Sequence, residues 1–284
     1  MPALIGLLAL AALPLSSPRP AAVPRRQSAL LVPSSLAIRF RDLLARPPLP
    51  PPLAMREDAR YKVRYGILGG IGELRLTIAE ERAEGRIRLV KVGGQGEGAV
   101  LGIGRSEKRV TGDFDPAALT SRRWTMARAG GEAVTDVIEQ PSAGVLTMVR
   151  QRPGAPPSSQ RAAFTLPALD PVGLVVRVRV APPPADHPLQ LLMLDGQALY
   201  RVTLIAAGRQ LVPDLEPAAF GLRVEGRADP IFYDGRDAFD RPRRTFTLWL
   251  SDDDARIPLR LTMPIGPGDV VVELVEATRI PRTN

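Results

Sequence analysis

The stretch from Arg244 to Ala277 reads RTFTLWLSDDDARIPLRLTMPIGPGDVVVELVEA, and its periodicity decides the fold class. Three runs alternate apolar and polar residues, and they are separated by an acidic SDDDAR turn and a Gly/Pro-rich one. Alternation at period two marks strands with one buried and one wet face, so the segment reads as an antiparallel meander.

Working outward, the same alternation recurs at Ala59–Tyr65, Glu73–Ala79 and Gly85–Val92, then at Ser121–Ala127, Val134–Ile138, Gly144–Val149, Leu189–Leu194, Ala198–Ala206 and Phe220–Glu225. Spacing of this kind suits antiparallel β architecture and not βαβ units. Asp195-Gly196 marks a tight hairpin, and the glycines between Gly66 and Gly72 mark a turn or bulge. The Gly-rich run Gly93–Val110 fits either strand or short helix. In Leu166–Val180, Asp170 and Pro171 are a helix cap and first-turn signal, whereas the valines of LVVRVRV favour strand. Arg152–Ser159 and Ala181–Pro188 read as irregular loops. The expected fold is all-β and mainly antiparallel, a curved sheet, sandwich or half-open barrel with one or two short helices, in a single domain from 58 to 284.

The N-terminus has a different character. Ala3–Leu13 is an uncharged apolar run of signal-peptide length, too short for a stable membrane-spanning helix. Residues 1–27 are expected to be a signal peptide or an uncleaved anchor, which places the product outside the cytoplasm, in the periplasm of a double-membrane cell. Residues 28–57 hold an amphipathic segment, Ser35–Ala45, and the proline-rich linker RPPLPPPLA.

Composition excludes several functions. With 45% hydrophobic residues among 284, the chain can bury a sizeable core. It has no cysteine, which removes disulfides, thiolate metal sites and cysteine nucleophiles. The net charge of +8 comes from arginines spaced at strand intervals (Arg86 and Arg88, Arg177 and Arg179, Arg256 and Arg260) without interleaved aromatics. That pattern describes a solvated face or an attraction for anionic lipid or sugar, and no nucleic-acid partner is expected.

Chemistry-bearing motifs are weak. Gly94-Gln-Gly96-Glu-Gly98-Ala99 fits a dinucleotide fingerprint only in spacing; without a crossover helix it reads as a turn or bulge, and no cofactor is expected. Asp252-Asp253-Asp254 reads as a solvated hairpin turn. Asp234, Asp237 and Asp240, with Asp229 upstream, form a better candidate for calcium or sugar hydroxyls, beside Tyr233 and Phe239, although a salt-bridged loop explains them as well; no metal is assigned. The single histidine, His187, lies in a proline-rich loop with no serine at nucleophile-elbow spacing, so no catalytic residue is named.

Tyr65-Gly66 with its Gly-rich turn, the segment DPVGLVVRVR, and Trp249-Leu-Ser-Asp252 followed by Arg256-Ile-Pro258-Leu259 resemble the bacterial family known as domain of unknown function 3108. The likeness runs from Ala59 to the C-terminus. It implies an exported, mostly β protein of the cell envelope and no known activity. The family's Asp-led pattern, D-x-x-S-x-x-Y-x-x-R, is met here by Asp170 and Arg179, while Gly173 and Val176 replace the hydroxyl residues. Asp170 and Arg179 are expected to form a buried pair, and Trp249, Asp252 and Arg256 to surround the signature hairpin. The functional expectation is a non-enzymatic envelope protein holding an apolar or anionic, lipid-like ligand in a β concavity. An envelope scaffold is the alternative and a carbohydrate-active hydrolase the second one; the partner would be a lipid, a glycan or another envelope protein.

Overall fold

The computed structural model describes residues 56–66, 69–83, 86–100, 104–129, 133–142, 144–195, 198–232, 238 and 242–280. The expected signal segment, the amphipathic segment and proline linker, and Asp234, Asp237 and Asp240 lie outside them.

Among the described residues fifteen strands form one sheet. In chain order they are β1 (Arg56–Tyr65), β2 (Gly70–Ala83), β3 (Arg86–Val100), β4 (Gly104–Asp115), β5 (Thr120–Ala129), β6 (Val134–Ser142), β7 (Val145–Arg152), β8 (Ala155–Ala163), β9 (Ala168–Leu169), then the single helix α1 (Pro171–Val180) of the described residues, β10 (Leu189–Asp195), β11 (Ala198–Leu211), β12 (Phe220–Ile231), β13 (Arg244–Ser251), β14 (Pro258–Ile265) and β15 (Gly268–Ile280). The spatial order is β8 back to β1, then β15 back to β9. Two meanders are therefore joined where β1 pairs antiparallel with β15, and only the short β9–β10 pairing is parallel.

The expected fold class holds, and the terminal meander is β13, β14 and β15. The first strand begins at Arg56, two residues before the expected start. Gly93–Val110 falls on β3 and β4, so the fingerprint-like glycines are neither turn nor bulge but regular strand, paired residue for residue with β4. Gly94, Gly96 and Gly98 are buried on the inner face, where their lack of side chains makes room, and α1 packs across β3, β4 and β5. Most of the expected loop Arg152–Ser159 belongs to β8, an edge strand exposed over nearly its whole length.

The helix settles the conflict between cap and valines in favour of the cap. Asp170 accepts from the Val172 and Gly173 backbone N–H groups at 2.9 Å each, and proline stands at the first helical position. Pro171 through Arg179 are all buried. A helix enclosed all round needs apolar residues on every side, which is why its sequence shows no helical periodicity. It lies on the concave face of the sheet.

Polar contacts show how the sheet rolls up. Thr120 and Gln140, at one end of β5 and β6, bond to β9: the Thr120 hydroxyl donates to the Ala168 carbonyl at 3.1 Å, and Ala168 N–H donates to Gln140 at 2.8 Å. Lys108 of β4 pairs with Asp195 of β10. The β9–β10 end of the sheet therefore tucks against β4, β5 and β6 instead of closing on β8, leaving β7 and β8 beyond the seam.

Candidate functional site

The inner face is polar where it carries the roll. Asp170 is fully buried; its second carboxylate oxygen accepts from the Ser121 hydroxyl at 2.6 Å. Burial pushes its pKa up, and the bonds from Ser121, Gly173 and Val172 work against that shift. A Cβ on Gly173 would meet the Ser121 hydroxyl at 2.3 Å. A side chain at this position would require the Ser121 and Asp170 side chains to shift, and it is Ser121 of β5 that supplies a hydroxyl to the aspartate.

Arg179 does not pair with Asp170, contrary to expectation. Both are buried, but they sit at opposite ends of a ten-residue helix, roughly 13 Å apart along its axis at about 1.5 Å of rise per residue. Arg179 forms a two-point ion pair with Glu57 of β1, at 2.7 and 2.8 Å, and donates to the Ala255 carbonyl at 2.9 Å. Nor are Arg177, Arg179 and Arg260 part of a solvated arginine face, since all three are buried. Arg177 donates to the Ala181 carbonyl, and burial brings its pKa down to about 10.

Further along the inner face, Arg150 grips Asp136 at 2.6 and 2.7 Å beside the Lys108–Asp195 pair. Burial pushes the Lys108 ammonium down and the Asp195 carboxyl up, while each partner's charge opposes the change. A gap between α1 and the sheet, lined by Tyr61, Leu76, Val175 and Leu248 among others, is about 20 Å³. That holds no more than a water molecule.

The outer face differs. Across β11 to β14 runs an open groove of about 490 Å³. Four threonines line it, Thr203, Thr245, Thr247 and Thr262, with Glu225, Arg227 and Asp269 for charge and Ile205, Pro188 and Pro264 as apolar contacts. Strand pairing lays these side chains side by side: Thr203 opposite Arg227, Arg227 opposite Thr245, Glu225 opposite Thr247, Thr247 opposite Thr262. Phe246, Leu248 and Leu250 of the same strand point into the core, so the alternation that builds the sheet also sets the groove's chemistry.

The remaining expected residues fall around this face. Trp249 is buried, yet it belongs to the outward set of β13 and stands outside the core cluster, opposite Arg223 and Arg260. Asp252 pairs with exposed Arg209. Asp253 holds the turn, accepting from the Ser251 hydroxyl at 2.6 Å and from the N–H groups of Ala255 and Arg256 at 3.1 Å each. The triple aspartate is thus a hairpin turn. Arg256, with φ of +46°, donates to the Arg179 carbonyl at 3.0 Å and ties that turn to α1. Asp229 pairs with Arg227 and Arg243, and exposed His187 pairs with Asp186. Among the described residues no group of three or more acids and histidines is placed to hold a metal ion, and no helix is long and apolar enough to cross a membrane. Sequence reasoning missed the threonine groove; its only advance signal was the outward register of Thr245, Thr247 and Thr262.

The family model for "Protein of unknown function (DUF3108)" matches residues 60–275, and the chain belongs to that family. Among solved structures, the chain is similar to a β-barrel-like protein of domain of unknown function DUF1849 from Brucella abortus, with 12% identity, 80% of this chain and 98% of that one covered, and a TM-score of 0.49. It also matches a putative exported protein with YmcC-like fold from Bacteroides fragilis, with 8% identity, coverage of 78% and 95%, and a TM-score of 0.29. A third match is LprF from Mycobacterium bovis, with 13% identity, coverage of 80% and 89%, and a TM-score of 0.27. No curated protein matches the chain.

Proposed function

We propose that this chain is a non-catalytic binding protein of the cell envelope whose ligand is a carbohydrate chain seated in the β11–β14 groove. The observation that carries this reading is the groove itself, about 490 Å³ in which four threonine hydroxyls, two carboxylates and one guanidinium stand in register on a rigid sheet. Hydroxyl-rich ligands are recognised by such alternating donors and acceptors, and sites on strands hold their geometry better than sites on loops. A lipid in the concavity is the weaker alternative, because α1 already lies there and the gap beside it is about 20 Å³. Export rests on the apolar Ala3–Leu13 run.

The test is a panel of immobilised envelope oligosaccharides probed with the purified protein. The reading expects selective retention of at least one oligosaccharide, lost in Arg227→Ala and in Glu225→Ala. Retention unchanged in both variants, or no retention at all, contradicts it.

A further inference from the structure

The outward lane of the sheet continues past the groove. Two residues beyond Glu225 and Thr247 on the way out, at the next outward positions of β12 and β13, stand Arg223 and Trp249, and the matching position of β14 is Arg260. Trp249 faces Arg223 on one side and Arg260 on the other in direct register. Each of the three keeps one buried donor with no acceptor among the described residues, Arg223 Nε, Trp249 Nε1 and Arg260 Nε, although the other Arg223 nitrogens donate to Gln210 at 3.0 Å and pair with Glu225 at 2.7 Å. Trp249 and Arg260 are each only 6% exposed. Three unanswered donors in one row are costly, since a buried polar group without a partner is destabilising.

The loop between β11 and β12, residues 212–219, reaches the Arg260 end of this row. It is closed at its base by Val212 N–H donating to the Ala219 carbonyl at 2.9 Å. Arg260 donates to the Pro213 carbonyl and to the Asp214 carboxylate, the latter at 3.1 Å. Asp214 has φ of +51°, in the left-handed region that non-glycine residues seldom occupy. Its side chain is 80% exposed, so the bond to Arg260 is screened by solvent and open to exchange. On its other side Arg260 reaches Glu273 at 3.4 Å, a carboxylate it shares with Arg64 and Lys62.

We propose that Arg223, Trp249 and Arg260 form a subsite for an acidic sugar residue, with the 212–219 loop as its cover. The sugar carboxylate takes the place of Asp214 on Arg260, the loop lifts, and the ring stacks on the uncovered indole while the Trp249 N–H donates to the ligand. Aromatic faces suit the apolar side of a sugar ring, and an N–H left without an acceptor in the closed form gains one. The proposal rests on the reading of the adjoining groove as a carbohydrate site, and it specifies which carbohydrate: one carrying negative charge.

The experiment is calorimetric titration of the full chain with a galacturonate tetramer and with a neutral galactose tetramer, repeated on Asp214→Asn. Asparagine tolerates the left-handed backbone, so the variant removes the competing charge without disturbing the loop. The acidic tetramer is expected to bind roughly tenfold tighter than the neutral one, a difference of about 1.4 kcal/mol. Asp214→Asn should tighten the acidic tetramer several-fold and leave the neutral one unchanged, and only the acidic tetramer should alter the tryptophan fluorescence. Equal binding of both tetramers, or no response of the acidic one to Asp214→Asn, overturns the subsite while the groove reading stands. Binding of neither overturns the subsite, while the groove reading is decided separately by the oligosaccharide panel.

Discussion

The inner seam and the outer face of this sheet are both rich in polar side chains, and they arrange them differently. At the seam, the Asp170 carboxylate accepts from Ser121, Val172 and Gly173, and Gln140 bonds to Thr120, Ser121 and Ala168. Unanswered buried atoms occur on both faces, Asp195 Oδ2, the Tyr61 hydroxyl and the Trp124 N–H within and Arg223, Trp249 and Arg260 without; the outer three differ in standing in one row beside an open groove. Polarity that is bonded internally holds a fold together. Polarity left unanswered is available to something else.

The sharpest way to break this contrast is to remove one member of the seam. Lys108→Met leaves the Asp195 carboxylate buried beside Asp136 and should cost about 4 kcal/mol; the double variant Lys108→Met with Asp195→Leu should recover most of that loss. Chemical denaturation of the single and double variants checks it, and a double variant no better than the single would mean that the seam depends on charge and not merely on filling the space. Asp170→Ala, which strands a hydroxyl and two helix N–H groups, should cost about 3 kcal/mol, or a melting temperature lower by roughly 6–12 °C.

A smaller effect should appear in acid. Asp115 is buried at the β4–β5 turn; burial raises its pKa, but the N–H groups of Ala118 and Ala117 and the Arg122 guanidinium together bring it below the ordinary carboxylate value. A depressed folded-state pKa adds stability above the unfolded value of about 4, and that stability is lost as pH falls through the folded one. Thermal melts between pH 6 and pH 2 should therefore show a shallower acid decline for Asp115→Asn than for the native chain. Smallest of all is the expected stability change for Thr262→Val on the outer face, within about 0.5 kcal/mol, although oligosaccharide binding should weaken.

The seam was largely hidden in the sequence, whereas the strands were not. Alternation in RTFTLWL and VVVELV reports one buried and one wet face directly, so the terminal meander could be read almost to its ends. β8, with its sequence APPSSQRAA, buries neither face and so has no alternation to show. The glycines of β3 erase alternation by having no side chains. The helix was ambiguous because full enclosure demands valine on every side, which is also what a buried strand demands. Asp170 and Arg179 were legible as buried, but their partners were not: Ser121 is 49 residues from Asp170 and Glu57 is 122 from Arg179, separations that only the rolled sheet brings together. Trp249 was visible as a marker, yet its place on the outer row depends on the register with Arg223 and Arg260.

The contrast is tested most directly by Thr247→Arg, which places a bulky side chain in the middle of the groove at an outward position. Melting temperature and oligosaccharide binding would be measured on the same sample. The account predicts a melting temperature within about 2 °C of the native value together with loss of binding. Binding that survives the substitution, or a collapse of the melting temperature, would contradict the assignment of this face to recognition.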